Sequence, residues 1–203
     1  MKIAIKSLEK KLGKKLKRNL TVLGIDSAST AGMALLKVNS RSIDFTTQKL
    51  KFGTHKKGTP INSKLDTGIK AIQEYIAFNI HKPMDLIVIE NAYLNLNKYT
   101  YGLLRMLSGI FYCEFSEYSK DIVFYYPTEH RKITGFDSKK MKGDALKKLV
   151  VTWVEYLGFG KLSHDEADAI MLALAGLVIQ PPVQQALEKK KKVKAKKKRI
   201  KKA

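Results

Sequence analysis

The chain has 203 residues, enough for one domain with a full hydrophobic core, and a formal net charge of +21. Its single cysteine, Cys113, excludes an intramolecular disulfide and points to an intracellular, reducing setting, while His55, His81, His130 and His164 are too scattered for a zinc-ligand spacing. The longest apolar run near the end, 169–179, falls short of the ~20 residues that span a bilayer, so a cytoplasmic protein with no membrane partner is expected.

The charge sits at the two ends. Residues 1–18 hold eight Lys/Arg against Glu9 and residues 189–202 hold eleven against no acid, which leaves +3 for the body. Three parts follow: a basic N-terminal segment (1–18), a nearly neutral domain (19–180) and a lysine-rich tail (181–203) read as disordered. A solvated lysine run neutralises phosphates without reading bases. In the first segment, Ile5, Leu8, Leu12 and Leu16 recur at helical spacing, which predicts an amphipathic helix lying on the domain, on DNA or on a membrane surface.

Leu20 to Ile25 then reads as a buried strand, residues 27–30 as a small-residue turn, and Ala31 to Val38 and Ser42 to Phe52 as two further strands of an antiparallel meander. Beyond a Gly/Pro loop at 56–60, Ile61, Leu65, Ile69, Ile72 and Ile76 predict a helix to about residue 80. Pro83 breaks the chain. Asp85 to Glu90 is apolar enough for a central strand covered on both faces. A helix from Tyr99 to Tyr118, a fifth strand from Asp121 to Tyr126 stopped by Pro127, and helices over 142–157 and 165–179 complete the order βββαβαβαα, an α/β fold with a mixed five-stranded sheet flanked by helices.

Three apolar runs end on acids: Leu23-Gly24-Ile25-Asp26, Leu86-Ile87-Val88-Ile89-Glu90, and Asp165-Glu166-Ala167-Asp168, which opens a wholly apolar helix. A carboxylate beside a core strand is costly to desolvate unless it is paired or binds a cation. Ser163 and Glu166 have the spacing of a capping box, which explains Glu166 and leaves Asp168 without a structural role. Asp26, Glu90, Asp165 and Asp168 together make a set of hard oxygen donors suited to Mg²⁺ or Mn²⁺, with His164 a rival to Asp165. Two such ions, about 4 Å apart, are suited to phosphodiester hydrolysis, which points to a nuclease without a small-molecule cofactor.

These motifs, in this order and on these elements, resemble the RuvC family of Holliday-junction resolvases, within the RNase H-like superfamily, over roughly residues 20–180. A lysine-rich version such as this is similar to phage-encoded members. The resemblance implies an RNase H-like fold, branched DNA as substrate, and Asp26, Glu90, Asp165 and Asp168 as the metal-binding acids. It matches Tyr93 to an aromatic that stacks on bases near the junction centre. It also matches residues 134–143 to a loop that delivers a lysine to the scissile phosphate. An ungapped register puts Met141 at that position; a one-residue shift selects Lys142 or Lys140, and Lys142 is preferred because it begins a helix whose N-terminus can face phosphate. The helix over 99–118, rich in Tyr101, Leu104, Leu107, Phe111, Tyr112 and Phe115, corresponds to the family's dimer interface, so a homodimer making paired nicks is implied. Two other readings are an RNase H-type hybrid nuclease and a non-catalytic DNA-binding protein on a nuclease fold. The four acids speak against the second of these, since a pure binder gains nothing from carboxylates near phosphate.

Overall fold

The run Leu20-Thr21-Val22-Leu23-Gly24-Ile25-Asp26 becomes the central strand of the molecule in the computed structural model, which describes residues 1–28, 30–52, 60–92, 98–138 and 140–179. The strands are β1 (Lys2–Ala4), β2 (Leu20–Asp26), β3 (Thr30–Val38), β4 (Ser42–Lys51), β5 (Leu86–Glu90) and β6 (Ile122–Tyr125). The helices are α1 (Ile5–Leu12), α2 (Ile61–Asn79), α3 (Lys98–Phe115), α4 (Pro127–Thr134), α5 (Gly143–Val154) and α6 (His164–Leu177). One mixed sheet has the order β1-β4-β3-β2-β5-β6. Its β2–β3, β3–β4 and β1–β4 pairs are antiparallel, and β5 lies parallel to both β2 and β6.

Strand alternation divides the core in two. Leu23, Ile25, Met33, Leu35, Ile87 and Ile89 face α2 and α3, where they meet Ile72, Tyr75, Phe111 and Phe115. Val22, Ala34, Leu36 and Val88 face the other way, onto α6 and the helices around it. Helix α6 is buried almost all round, from Ala169 to Leu177. It lies unusually close to the sheet. A Cβ on Gly24 would stand 2.1 Å from the Ala169 carbonyl oxygen, and one on Gly32 would stand 1.9 Å from that of Asp165, so these two positions accept no side chain without moving the helix.

The sheet has six strands where the sequence pattern predicts five. The additional strand is β1, three residues long and too short to show alternation, which pairs with β4 and leads directly into α1. Helix α4 is also additional. The predicted amphipathic helix exists, and of the three placements open to it the domain is the one observed: Ile5, Leu8, Leu12 and Leu16 are buried in the same core as α6. Leu16 and Val178 form an isolated bridge, and the Lys17 N–H donates to the Leu177 carbonyl at 2.8 Å. Glu9 fixes the turn after α1. Its buried carboxylate accepts the Leu16 N–H at 2.9 Å and meets Arg18 Nη2 at 2.9 Å. Burial opposes its ionisation, yet these partners hold the carboxyl below its ordinary value. Residues 53–59, which include most of the Gly/Pro stretch predicted at 56–60, and residues 180–203 lie outside the described residues. Among the described residues no helix is long and apolar enough to cross a membrane.

Two substitutions test this packing by urea denaturation. Leu8→Ala should cost about 2–5 kcal/mol, as for any large-to-small change in a core, whereas a change below about 1 kcal/mol would mean that the first segment is detached. Gly24→Ala, though a single added methyl, should cost about 1–3 kcal/mol or more because its contact is helix backbone rather than a flexible side chain.

Candidate active site

Val22, Gly24 and Asp26 point to the α6 face by alternation, as do Leu86, Val88 and Glu90. The parallel register of β2 and β5, with Ile25 opposite Ile89, brings Asp26 and Glu90 out at the same end of the sheet. A small hydroxyl cluster locks the two strand ends together. Ser27 Oγ donates to the Glu90 carbonyl at 2.8 Å and lies 2.9 Å from Ser108 Oγ of α3, which donates to the Leu104 carbonyl. The turn after Asp26 is therefore tied to β5 and to a helix on the opposite face.

The third pair of acids arrives on α6. Gly32 pairs with Asp26 across β2–β3, and the Asp165 backbone sits directly over Gly32, so the first turn of the helix is set beside Asp26. The predicted capping box is present. Glu166 Oε2 accepts the Ser163 N–H at 3.1 Å and the Ser163 hydroxyl at 2.6 Å, and Oε1 accepts from Thr47 of β4 at 2.9 Å. Against the pull of burial, those hydrogen bonds and Lys49 keep Glu166 below the usual carboxylate range. Glu166 is thereby held at the helix start and β4, leaving Asp165 and Asp168 to the cleft.

Asp26, Glu90, Asp165 and Asp168 line one open cleft of ≈ 550 Å³ together with Arg131, His164, Lys147, Leu146, Gly143, Thr30 and Ala28. Burial drives the Asp26 carboxyl well above its ordinary value, and the charges of Glu90, Asp168 and Asp165 add to this while Arg131 opposes it. Asp168 is raised in the same way, by burial and then Glu90, against Arg131 and His130. Its Oδ1 is buried without a hydrogen-bond partner, 3.6 Å from Arg131 Nη2. Glu90 Oε2 lies 3.2 Å from His130 Nε2, and Asp165 Oδ1 lies 2.7 Å from His164 Nε2. Among the described residues no three His, Cys, Asp or Glu side chains stand close enough to share an ion.

Sequence pattern alone does not point to His130 and Arg131 as part of the site. Both belong to α4, and the signal for that helix lies in Tyr126-Pro127-Thr128-Glu129: proline at the first helical position and a glutamate at the third, whose Oε2 accepts the Tyr126 N–H at 2.9 Å. Read only as a strand stop, Pro127 hides the helix that supplies the cleft with its arginine. His164 is half-exposed, lines the cleft with Asp165 and lies 2.7 Å from its Oδ1. Lys142 is the N-cap of α5 and is exposed; Lys140 is exposed with φ of 62°. Neither lines the cleft, whereas Lys147, one turn into α5, does. Tyr93 lies outside the described residues.

The raised carboxyls have a consequence for stability. A folded-state pKa above the unfolded one means that the folded protein holds these protons more tightly, so the penalty is absent below about pH 4, grows as pH rises from there towards the elevated values and is complete above them. Asp26→Asn removes it. In EDTA the variant should melt higher than the wild type near neutral pH, by roughly 2–4 °C per kcal/mol relieved, and the gain should vanish below about pH 4. Equal melting temperatures at neutral pH would show that Asp26 carries no such penalty.

No protein-family profile and no curated protein matches the sequence. Solved structures do match. The structure titled "T. thermophilus RuvC in complex with Holliday junction substrate" superposes with a TM-score of 0.57 at 13% identity, covering 77% of this chain and 92% of that one. A second structure of Thermus thermophilus RuvC superposes with a TM-score of 0.55 at 15% identity, over 78% and 98% of the two chains. The chain therefore has the RuvC-like, RNase H-like α/β fold.

Proposed function

We propose that this chain is a divalent-metal-dependent endodeoxyribonuclease that resolves four-way and related branched DNA junctions by paired nicks. The observation that carries the reading is the gathering of Asp26, Glu90, Asp165 and Asp168 on one cleft from two strand ends and one helix, in a fold shared with a RuvC structure that is titled as a complex with Holliday junction substrate.

The donor set fits a hard cation. It offers four carboxylates and no thiol, the buried Oδ1 of Asp168 lacks a hydrogen-bond donor, and Asp26 is buried among like charges, all of which Mg²⁺ or Mn²⁺ would relieve. Bound by these acids, a pair of such ions would activate water and offset charge on the leaving oxygen. The protein's own groups do the rest. His130 positions Glu90, and His164 holds Asp165. The start of α5 presents Gly143, Leu146 and Lys147 to the cleft, so its N–H groups and one ammonium face an incoming phosphate. Lys142 at the N-cap and Lys147 in the first turns are the two candidates for stabilising the developing negative charge, and lining the cleft favours Lys147.

Helix α3 supports the dimer. Leu107, Phe111 and Phe115 fill the core, while Met106 (49% exposed) and Tyr112 (47%) remain outside, with Tyr112 against Phe124 of β6 at 6.1 Å between ring centres. A two-fold pair through this helix would present two clefts to the arms of a four-way junction.

Cleavage of a synthetic four-way junction, compared with linear duplex and an RNA–DNA hybrid, tests the assignment. The wild type should cut only the junction and only with Mg²⁺ or Mn²⁺ present; Asp26→Asn should not cut yet should still bind. Retained cutting by that variant, or preference for the hybrid, would remove the assignment. In the same assay the lysine at the phosphate should lose about 10²-fold or more in kcat on change to Gln, and the other of Lys142 and Lys147 should lose little. Tyr112→Glu should convert a dimer, measured by sedimentation, into a monomer that keeps its melting temperature.

A further inference from the structure

The positive charge of the first segment is built into a groove. Because Ile5, Leu8 and Leu12 anchor α1 in the core, its lysines stand at fixed positions rather than on a tail. Lys6, Lys10, Lys14, Lys15 and Arg18 line one depression of ≈ 530 Å³ with Gly13 and with Ser40 of the β3–β4 turn. Glu9 is the one acid among its lining residues, and its carboxylate is already taken by Arg18 and the Leu16 N–H. Among the described residues, Lys6, Lys10 and Lys14 have no ion-pair partner. A groove of cations whose single carboxylate is satisfied internally calls for an external polyanion.

Its position says which one. Lys14 also lines the adjoining depression with Lys132 of α4, where the carboxylate present, Glu129, is engaged in capping α4. Lys132 follows Arg131, which lines the acidic cleft. Lys14 of the segment after α1 and Lys132 of α4 therefore adjoin, one residue along α4 from Arg131, whose guanidinium lies 3.6 Å from Asp168 Oδ1 in the cleft. The groove lies at the far end of α6 from Asp165, since Leu16 bridges Val178 just past the helix. At 1.5 Å per residue the 14 residues of α6 separate the two by ~20 Å, about six base pairs of duplex at 3.4 Å each. We propose that the α1 groove, with Lys132 as its link to the cleft, is a seat for the phosphate backbone of a DNA arm leaving the active site. This rests on the nuclease reading only for which DNA occupies the cleft; the groove's own prediction concerns duplex phosphate. A flat anionic membrane would not require Lys14 to adjoin Lys132 on the helix that also serves the cleft.

Binding of the full chain to a fluorescent four-way junction and to linear duplex, in EDTA and over a salt series, tests the proposal. The triple variant K10Q/K14Q/K132Q should show a shallower dependence of log K on log salt, by about 0.9 for each phosphate no longer neutralised, on both DNAs. The variant K10R/K14R/K132R should keep the wild-type slope, and both should keep the wild-type melting temperature and kcat at saturating DNA. An unchanged slope in the Gln variant would overturn the proposal, as would loss of binding confined to vesicles of phosphatidylserine and phosphatidylcholine in equal parts. The two readings fail separately: a changed slope without any metal-dependent cutting leaves the groove in place and removes the nuclease, and cutting with an unchanged slope does the reverse.

Discussion

Helix α6 rests its backbone on the sheet at two glycines, and the geometry of the cleft depends on that contact. Any side chain at Gly24 or Gly32 would meet a carbonyl oxygen at about 2 Å, so the helix could not remain at its present height. Alanines continue the same logic on the other partner. Ala167, Ala169 and Ala173 are fully buried, and their small side chains let the helix axis approach the strands. Close approach is what places Asp165 beside Asp26, since Gly32 pairs with Asp26 and sits under Asp165. The acids are thus brought together by the absence of side chains nearby, a backbone device rather than an attraction between the acids themselves, which repel.

Repulsion has to be contained, and α4 does much of this. Arg131 stands by Asp168, and His130, wholly buried, stands by Glu90. Containment is incomplete. Asp26 and Asp168 are still pushed towards their neutral forms by burial, and Asp168 Oδ1, His130 Nδ1 and Arg131 Nε are buried without hydrogen-bond partners. Two of these atoms belong to cleft residues, Asp168 and Arg131, in a molecule whose other carboxylates such as Glu9 and Glu166 are well bonded, a contrast expected where a polar group is kept for binding rather than for stability.

Alternation and helical spacing make most of the sheet and the four acids legible in the sequence. Val22, Gly24 and Asp26 alternate with Leu23 and Ile25, so the face of each residue follows from its parity, and Asp168 stands out because a capping box accounts for Glu166 but not for it. Two features are hidden for physical reasons. Strand β1 has three residues, too few for a period of two to show, and its pairing with β4 spans about forty positions. Helix α4 is eight residues long and mostly polar, so its hydrophobic stripe is thin; only its cap chemistry marks it. His130 and Arg131 are hidden with it, although a basic residue beside an acidic cleft is what the charge balance requires.

Integration of α1 into the core also changes how the charge of the chain divides. Along the sequence, the first eighteen residues and the last fifteen look alike, each a lysine run outside a nearly neutral domain. Burial of Leu8 and Leu12 fixes the first of them to the domain. A lysine on a flexible segment must lose backbone freedom when it binds, of order 1–2 kcal/mol per residue ordered, whereas the backbone of α1 is ordered when the domain folds and only side-chain freedom remains to be lost. Its ammonium groups also have a fixed direction relative to the cleft, through Lys14 and Lys132. Charge held on α1 therefore has a fixed geometry relative to the cleft as well as an attraction for polyanions.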